Sequence, residues 1–442
     1  VITYVIGRGE VFCGEGEVMG MKKFFVALSL LLVILSFAAK VELVFWTHED
    51  PNRTPLEEGY IKEFQKMYPN VEIKRVTYPS DKIKEVLLTA FAARKGPDIF
   101  NIEIQDEYPY IVNERVAPVN LNALGLKSYN DLKNQYLEGS LDAVTYKGKI
   151  YGLPLELTNW CIFINKKYFR DVGLDPEKDY PKTWEDMVRI SEKLVIRDGQ
   201  IIKRRGFDFR YPYYLTFFVP MVEQLGGALF SADGKTAIIN DNAWIRVLDF
   251  MKQWGPNGKN LGSPTYTAAR KEFNKDNNTV VMCESGLYQI DRIRTENPAF
   301  YNSNEWMVVP WPVFKNAVRD VKSNYYGHYY MVNAESSKEE QEWAWRFINF
   351  MLSHPQDYLV KVGLIQPRKD LIESDVFKNY PYSDVFLEDM EKAHIVPLHP
   401  QGPQIEQLIR EAVESVMLTN TSSRDALNTL KRKVNDLLKE EQ

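Results

Sequence analysis

An α/β protein of two lobes, each a mostly parallel sheet flanked by helices, is the architecture that the sequence predicts, on three observations. The first is size: about 400 residues follow an amino-terminal apolar run, more than the roughly 250–300 at which one hydrophobic core stops growing. The second is a βαβαβ alternation of short β-branched and aromatic runs with segments of helical periodicity, which makes strands parallel and puts helices on the sheet faces. The third is a fresh α/β pattern after Tyr151-Gly152-Leu153-Pro154, with no low-complexity linker and no internal repeat, so that several strands are expected to cross between the lobes.

The elements follow in order. VELVFW (41–46) is a short strand, and the polar, proline-containing loop THEDPNRTP follows it. Leu56, Tyr60, Phe64 and Tyr68 recur every four residues, the spacing of one helix face, and Pro69-Asn70 ends that helix. VEIKRVTY (71–78) is a second strand. Asp81 is placed to cap a helix with the stripe Ile83, Val86, Leu87, Ala90 and Phe91, and Gly96-Pro97 stops it before a third strand, DIFNIE. In the second half CIFINKKYF reads as a strand. PKTWEDMVRISEKL reads as a helix with Thr183 as cap and Asp186 three residues on, close to a capping box. Ser337 with Glu340 opens a helix whose Trp343, Phe347, Ile348 and Met351 share a face. The last helix, from about Ser423 to Lys439, turns Ala426, Leu427, Leu430, Val434, Leu437 and Leu438 inward.

Residues 21–39 carry two lysines, an apolar run from Phe24 to Leu35 and the small residues Ser36, Ala38 and Ala39. This is the pattern of a signal peptide, too short to cross a hydrocarbon core of about 30 Å. The mature chain is expected to begin near Ala39 or Lys40 and to work in the periplasm, without a lipoprotein anchor because no cysteine follows the apolar run. Residues 1–20 precede Met21 and are expected to be an untranslated leader, since Gly14-Glu15-Gly16-Glu17 could be encoded by purine-rich triplets resembling a ribosome-binding site. The alternative is a genuine extension, which a precursor peptide containing Cys13 would establish.

Composition narrows the function. A net charge of -5 with interspersed signs provides no basic field for nucleic acid. Aromatic content of 13%, with 25 Tyr, 23 Phe and 9 Trp, favours stacking surfaces as well as cores. Beyond the apolar run only Cys161 and Cys283 remain, which is no disulfide scaffold, and spacing leaves open whether they pair. The chain has no HExxH, Cys-x-x-Cys, Gly-x-Ser-x-Gly or phosphate-cradling Gly-x-x-x-x-Gly-Lys-Ser/Thr, and His48, His328, His354, His394 and His399 are scattered. No nucleophile and base can be assembled from these residues. No catalytic residue, metal ligand or cofactor is therefore assigned, and a non-enzyme is expected.

In parallel sheets ligands bind where loops converge at the carboxyl ends of strands. The loops after Trp46 and Ile102 carry charged clusters there: His48, Glu49 and Asp50 in one, Glu103, Asp106 and Glu107 in the other. Most loop carboxylates are simply solvated, so the clusters alone name no ligand.

In order, VELVFW, KEFQKMYPNVEIKRVTYPSDKIKEVLLTAFAARKGPDIF, GKIYGLPLE before NKKYF, PKTWEDM, Gly226-Gly227 after an aromatic helix, VVMCESGLYQI, SSKEEQEWAWRFINFMLS and GLIQPRKDL resemble one family. It is the sugar-binding extracellular solute-binding proteins of bacterial ABC importers, the maltose-binding-protein-like group, and the resemblance spans nearly the whole mature chain. It implies a two-lobed periplasmic-binding-protein fold, type II-like, with the ligand in the interlobe cleft and hinge crossings near 153–158, 324–330 and 375–385. It assigns 40–155 and 326–380 to lobe 1, and 156–325 and 381–442 to lobe 2. It also implies a mono- or oligosaccharide ligand, the importer's permease subunits as partners, a monomer, and no cofactor.

Sugars present hydroxyl rims and apolar C–H faces, so their sites need aromatic platforms and bidentate polar groups. Trp46, His48 and Glu49 end the first strand, and Glu103 and Asp106 the third. Glu156, Thr158, Asn159 and Trp160 follow the first crossover, where the family places a polar contact. Tyr213 and Tyr214, with Tyr211, precede a long aromatic helix that by resemblance borders the cleft. Gly286 and Tyr288 match a glycine-x-tryptophan turn of the family, with tyrosine in place of tryptophan, which preserves a stacking surface. Trp254, Tyr266 and Trp311 are further platform candidates, Tyr326 lies at a crossover, and Arg368, with Gln366, lies in the GLIQPRKDL turn. Each aromatic residue could equally belong to a core. Arg368 with His328 would suit a uronate carboxylate, but an ordinary ion pair explains Arg368 as well, so neutral and acidic ligands both stay open. HPQGPQ (399–404) fits no assigned pattern.

Two readings compete. A secreted glycoside hydrolase needs two carboxyl groups about 5–9.5 Å apart, a distance that sequence does not show. A ferric-iron receptor of the same fold would use Tyr325 and Tyr326 beside His328 as phenolate ligands; an aromatic hinge strand is the plainer reading of that run.

Overall fold

The computed structural model describes residues 40–80, 82–231, 236–239 and 241–439, with the side chain of Asp241 left out. The expected leader, the signal peptide and the Asp81 cap lie outside the described residues. The strands are β1 (Val41–His48), β2 (Val71–Tyr78), β3 (Ile99–Glu103), β4 (Thr145–Tyr146), β5 (Lys149–Ile150), β6 (Leu153–Thr158), β7 (Cys161–Asn165), β8 (Ile196–Asp198), β9 (Ile201–Asp208), β10 (Val280–Ser285), β11 (Trp306–Val309) and β12 (Tyr326–Val332).

These strands make two five-stranded sheets, β2-β1-β3-β12-β6 in lobe 1 and β11-β7-β10-β9-β8 in lobe 2, and β4 with β5 forms a separate hairpin. The expected βαβαβ start is present: β2 and β3 both pair parallel to β1. Both sheets are nevertheless mixed rather than mostly parallel. β12 runs antiparallel to β3 and β6, and in lobe 2 only β9 and β10 pair parallel. The cause in lobe 1 is chain routing. β12 returns from lobe 2 and enters the sheet at the carboxyl end of β3, with His328 opposite Glu103, so its direction is reversed. β6 and β7 belong to different sheets although only Asn159 and Trp160 separate them.

The helix Arg53–Met67 buries Leu56, Tyr60, Ile61 and Phe64, and Phe64 packs edge-on against Trp343 and Phe347 of the helix Lys338–Leu352. Ser337 closes a full capping box on that second helix with Glu340, as its spacing predicts. Thr183 accepts from the Asp186 N–H at 3.1 Å and starts the helix Trp184–Leu194. The terminal helix spans Ser423–Lys439 with Ala426, Leu427, Leu430 and Val434 buried. CIFINKKYF divides: the strand stops at Asn165, whose side chain accepts from the Lys167 N–H at 3.1 Å and caps the helix Lys166–Asp171. The unassigned HPQGPQ segment leads into the helix Gly402–Leu418, with Pro403 in its first turn, where a missing N–H costs nothing.

Cys161 on β7 and Cys283 on β10 are buried free thiols. Their strands are neighbours, but Cys161 faces Ser285 and Cys283 faces Phe163, two positions apart in register. No described helix is long and apolar enough to cross a membrane.

Candidate functional site

The ends of β1 and β3, the paired strands β6 and β12 and the segment 210–214 after β9 meet in one place. Its polar half is centred on His328. The β12 register sets His328 opposite Glu103 on one side and Glu156 on the other. The His328 Nδ1 lies 2.8 Å from Glu156 Oε1 and Nε2 lies 3.7 Å from Glu103 Oε1. The ring lies 4.2 Å, centroid to centroid, from that of His48.

Asn101 fixes His48. Its Oδ1 accepts from the His48 backbone N–H at 3.0 Å, so its Nδ2 is the group that faces His48 Nδ1 at 2.6 Å. An amide nitrogen donates only, so Nδ1 accepts and the neutral ring carries its proton on Nε2. Burial, reinforced by the charge of Arg53, holds the His48 pKa well below the ordinary histidine value. His48 therefore stays neutral at physiological pH. Glu103 is pushed up by burial, and its Oε1 accepts from the hydroxyls of Tyr326 at 3.3 Å and Tyr213 at 3.4 Å. The second of these bonds joins lobe 2 to lobe 1.

The aromatic half surrounds Arg210, just past β9. Its guanidinium carbon lies 4.8 Å from the ring centres of both Trp160 and Tyr213, 4.9 Å from Tyr326 and 5.7 Å from Tyr288. Arg210 also donates to the Tyr288 hydroxyl. Trp160 is fully buried, held by a 2.7 Å bond from its backbone N–H to Ser323 Oγ, and its ring meets those of Tyr213 and Tyr326. Gly286 permits this packing. A Cβ there would fall 2.5 Å from Tyr288 Cε1 and 2.7 Å from Thr158 Cγ2.

Beside this group a cavity of about 220 Å³ opens between the lobes, lined by Lys84, Asn101, Glu103 and Asp106 of lobe 1 and by Tyr213 and Glu406 of lobe 2. Asp106 pairs with Lys84. Burial, reinforced by the Asp106 charge, pushes Glu406 up to about 8.

Thus His48, Glu103, Asp106, Glu156, Thr158, Trp160, Tyr213, Gly286, Tyr288 and Tyr326 come together, and Asn159 sits buried at the crossover, donating weakly to Cys161 Sγ. Others do not join them. Trp254 is buried among Phe207, Phe209 and Phe250, and Trp311 packs on Trp184 and donates to Glu284 Oε2, so both belong to the lobe 2 core. Tyr214 packs into the same core with Tyr211, Phe217 and Phe218. Tyr266 covers the Arg205 guanidinium at 3.5 Å. Trp46 packs edge-on against Tyr78, and Glu49 is exposed. Arg368 is paired with Asp370 and lies near Tyr136, so its charge is already matched within lobe 1 and it does not meet His328. Tyr325 and Tyr326 do not converge as metal ligands: the Tyr325 hydroxyl donates to the Met390 carbonyl and that of Tyr326 to Glu103.

Sequence reasoning missed Arg210, Asn101, Lys84 and Glu406. The arginine inside the aromatic run Phe207–Tyr214 was a readable signal, since guanidinium planes stack on aromatic faces. Glu406 left no such trace, because only tertiary folding brings the helix Gly402–Leu418 to the cleft.

Known proteins share this architecture. The protein is 20% identical over 408 residues to the maltotriose-binding protein of Pyrococcus abyssi, covering 90% of this chain and 82% of that one. It is 24% identical over 248 residues to the arabinooligosaccharide-binding protein of Bacillus subtilis, covering 52% of this chain and about half, 54%, of that one. The solved structure of an ABC transporter solute-binding protein from Thermotoga lettingae, bound with α-D-tagatose, superposes with a TM-score of 0.78 at 20% identity, over 90% of this chain and all of that one. Residues 50–358 match the family described as bacterial extracellular solute-binding protein, and the chain belongs to that family.

Proposed function

We propose that this protein is the receptor of an ABC importer, capturing a mono- or oligosaccharide between its lobes and passing it unaltered to the permease subunits in the membrane. The observation that carries this reading is the interlobe group itself. Tyr213, Tyr288 and Tyr326, packed around the buried Trp160, supply faces for sugar C–H surfaces, and Glu103, Glu156 and His328 stand beside them as hydroxyl partners. β6 and β12 pair with each other at the crossing between lobes, which suits bending there. A ligand that touches both walls binds the closed form better than the open form and so shifts the population toward closure.

The partition of strands supports 40–155 with the β12 segment as one lobe and 161–309 as the other, whereas Leu371 and Phe377, assigned to lobe 1, pack with Phe163 and Phe273 of lobe 2. Work in the periplasm, as a monomer, without catalysis and without nucleic acid, completes the proposal. A thermal-shift screen of neutral and acidic saccharides tests it, because a ligand that binds only the native state raises the melting temperature. At least one saccharide is expected to raise it, and Ala at Trp160 or Tyr288 to remove most of that rise. A flat response across the screen would overturn the reading.

A further inference from the structure

Three arginines stand around the first turns of the helix Tyr288–Glu296 on the lobe 2 wall. Arg292 is matched: its Nη2 lies 2.7 Å from Asp50 Oδ2 of lobe 1. Arg210 and Arg270 are not. The partners of Arg210 are four aromatic rings and the Tyr288 hydroxyl, and Arg270 Nη1 donates to Gln289 Oε1 at 3.0 Å. Among the described residues no carboxylate oxygen comes within 4.0 Å of either guanidinium. Glu103 and Glu284 feel the Arg210 charge but are held by other donors: Glu103 by two tyrosine hydroxyls, Glu284 by the Arg210 backbone N–H and the Trp311 indole.

Two half-buried cations side by side without counter-charge are costly to hold. The Arg270 pKa is lowered by burial and then by the Arg210 charge, whereas for Arg210 burial is outweighed by Tyr288, Tyr326 and Tyr213 and the pKa is raised. Building on the saccharide-receptor reading, we propose that the captured saccharide carries an oxyanion, a uronate carboxylate or a phosphate ester, and that Arg210 and Arg270 bind it beside Tyr288. Guanidinium forks match such groups with paired N–H bonds. Leu287, the N-cap of the helix, has no side-chain cap bond to offer, and the positive end of that helix adds to the attraction. Glu103 and Glu156 stand apart from these arginines, beside His328, so the charged end of the sugar faces Arg210 and Arg270 and its neutral hydroxyls face Glu103 and Glu156.

Calorimetric titration of the intact protein with neutral, uronate and phosphorylated saccharides of one to four units tests this, on wild type, Arg210→Gln and Arg270→Gln, each checked for a cooperative melt. An anionic saccharide is expected to bind, to weaken with added salt, and to lose tenfold or more in each variant; the uronate and phosphate arms tell which oxyanion is used. Binding of neutral saccharides only, or an anionic affinity unchanged in both variants, overturns this inference and leaves the receptor reading standing. No binding of any saccharide overturns the receptor reading itself. Arg210→Lys keeps the charge without the fork, so if Arg210→Gln does not fold, a several-fold loss in the lysine variant supports the assignment and an unchanged affinity rejects it.

Discussion

Arg292 and Asp50 form an ion pair at 2.7 Å that ties the lobe 2 helix Tyr288–Glu296 to the loop after β1 in lobe 1. Asp50 is also engaged locally, since its Oδ1 accepts from the N–H groups of Asn52 and Arg53 at 2.9 Å each. Burial raises its pKa, but the charges of Arg292 and Arg53 and these two bonds outweigh it, and the net value lies below the ordinary carboxylate range.

Asp50→Asn keeps the local acceptor and removes the charge. With both partners largely shielded from water, the interlobe contact is expected to weaken by about 1–2 kcal/mol, a factor of roughly 5–30 in the closed-to-open ratio. Small-angle scattering would show a larger mean radius in the variant. Because the folded value is depressed, the contribution is full above the ordinary carboxylate range and fades as pH falls through the lowered value, so acid should open the wild type toward the variant's profile. Equal radii at neutral pH would refute a clasping role for the pair.

Gly286→Ala places a methyl group against Tyr288 and Thr158 at distances that real contacts do not reach. A cost of about 1–3 kcal/mol is expected, together with loss of saccharide response through displacement of the Tyr288 ring. Melting with and without ligand measures both. Unchanged binding would show that Tyr288 does not contribute to recognition.

Glu406, with its carboxyl pushed up to about 8, faces Asp106, Lys84 and Glu103 across the cavity, and its Oε1 accepts from the Leu215 N–H at 3.2 Å. An acid whose folded value lies above its unfolded value of about 4.3 costs stability progressively as pH rises between the two. Glu406→Gln keeps the acceptor and removes the titration. It is expected to stabilise the protein by about 1 kcal/mol or more above pH 8 and to change little at pH 4. Denaturant midpoints at the two pH values read this, and a pH-independent difference would contradict the raised value.

The Cys161 and Cys283 thiols are both held up by burial, and neither is bonded to the other. Thiol reagents attack the thiolate, so the native protein should not react with a coloured disulfide reagent, whereas both cysteines should react after unfolding. Rapid labelling of the folded protein would mean that this part of the lobe 2 core opens.

Much of this arrangement is legible in local sequence, because local chemistry decides it. β1, β2 and β3 follow from β-branched and aromatic runs, and the caps Thr183 and Ser337 follow from one hydroxyl placed three residues before a carboxylate. The crossover residues Glu156 and Trp160 and the Gly286–Tyr288 turn were reached through resemblance, and they do meet. Trp254 and Trp311 show the limit. An indole beside an apolar helix face has the same local signature in a core as on a binding wall, and only the packing of Phe207, Phe209 and Trp184 around these two puts them in the core.

By itself the sequence determined the two α/β lobes, the first three strands, the helices opened by Thr183 and Ser337 and the last helix, and the kind of side chain that stands in the cleft, since each depends on periodicity, capping or composition within a short span. Tertiary structure decided the direction of β12, the neutral tautomer of His48, and the choice of Arg210 rather than Arg368 as the cation at the aromatic wall. These depend on which groups, up to hundreds of residues apart, are brought within bonding distance. A charge is matched or left unmatched only by what folding sets beside it, and no local pattern records that.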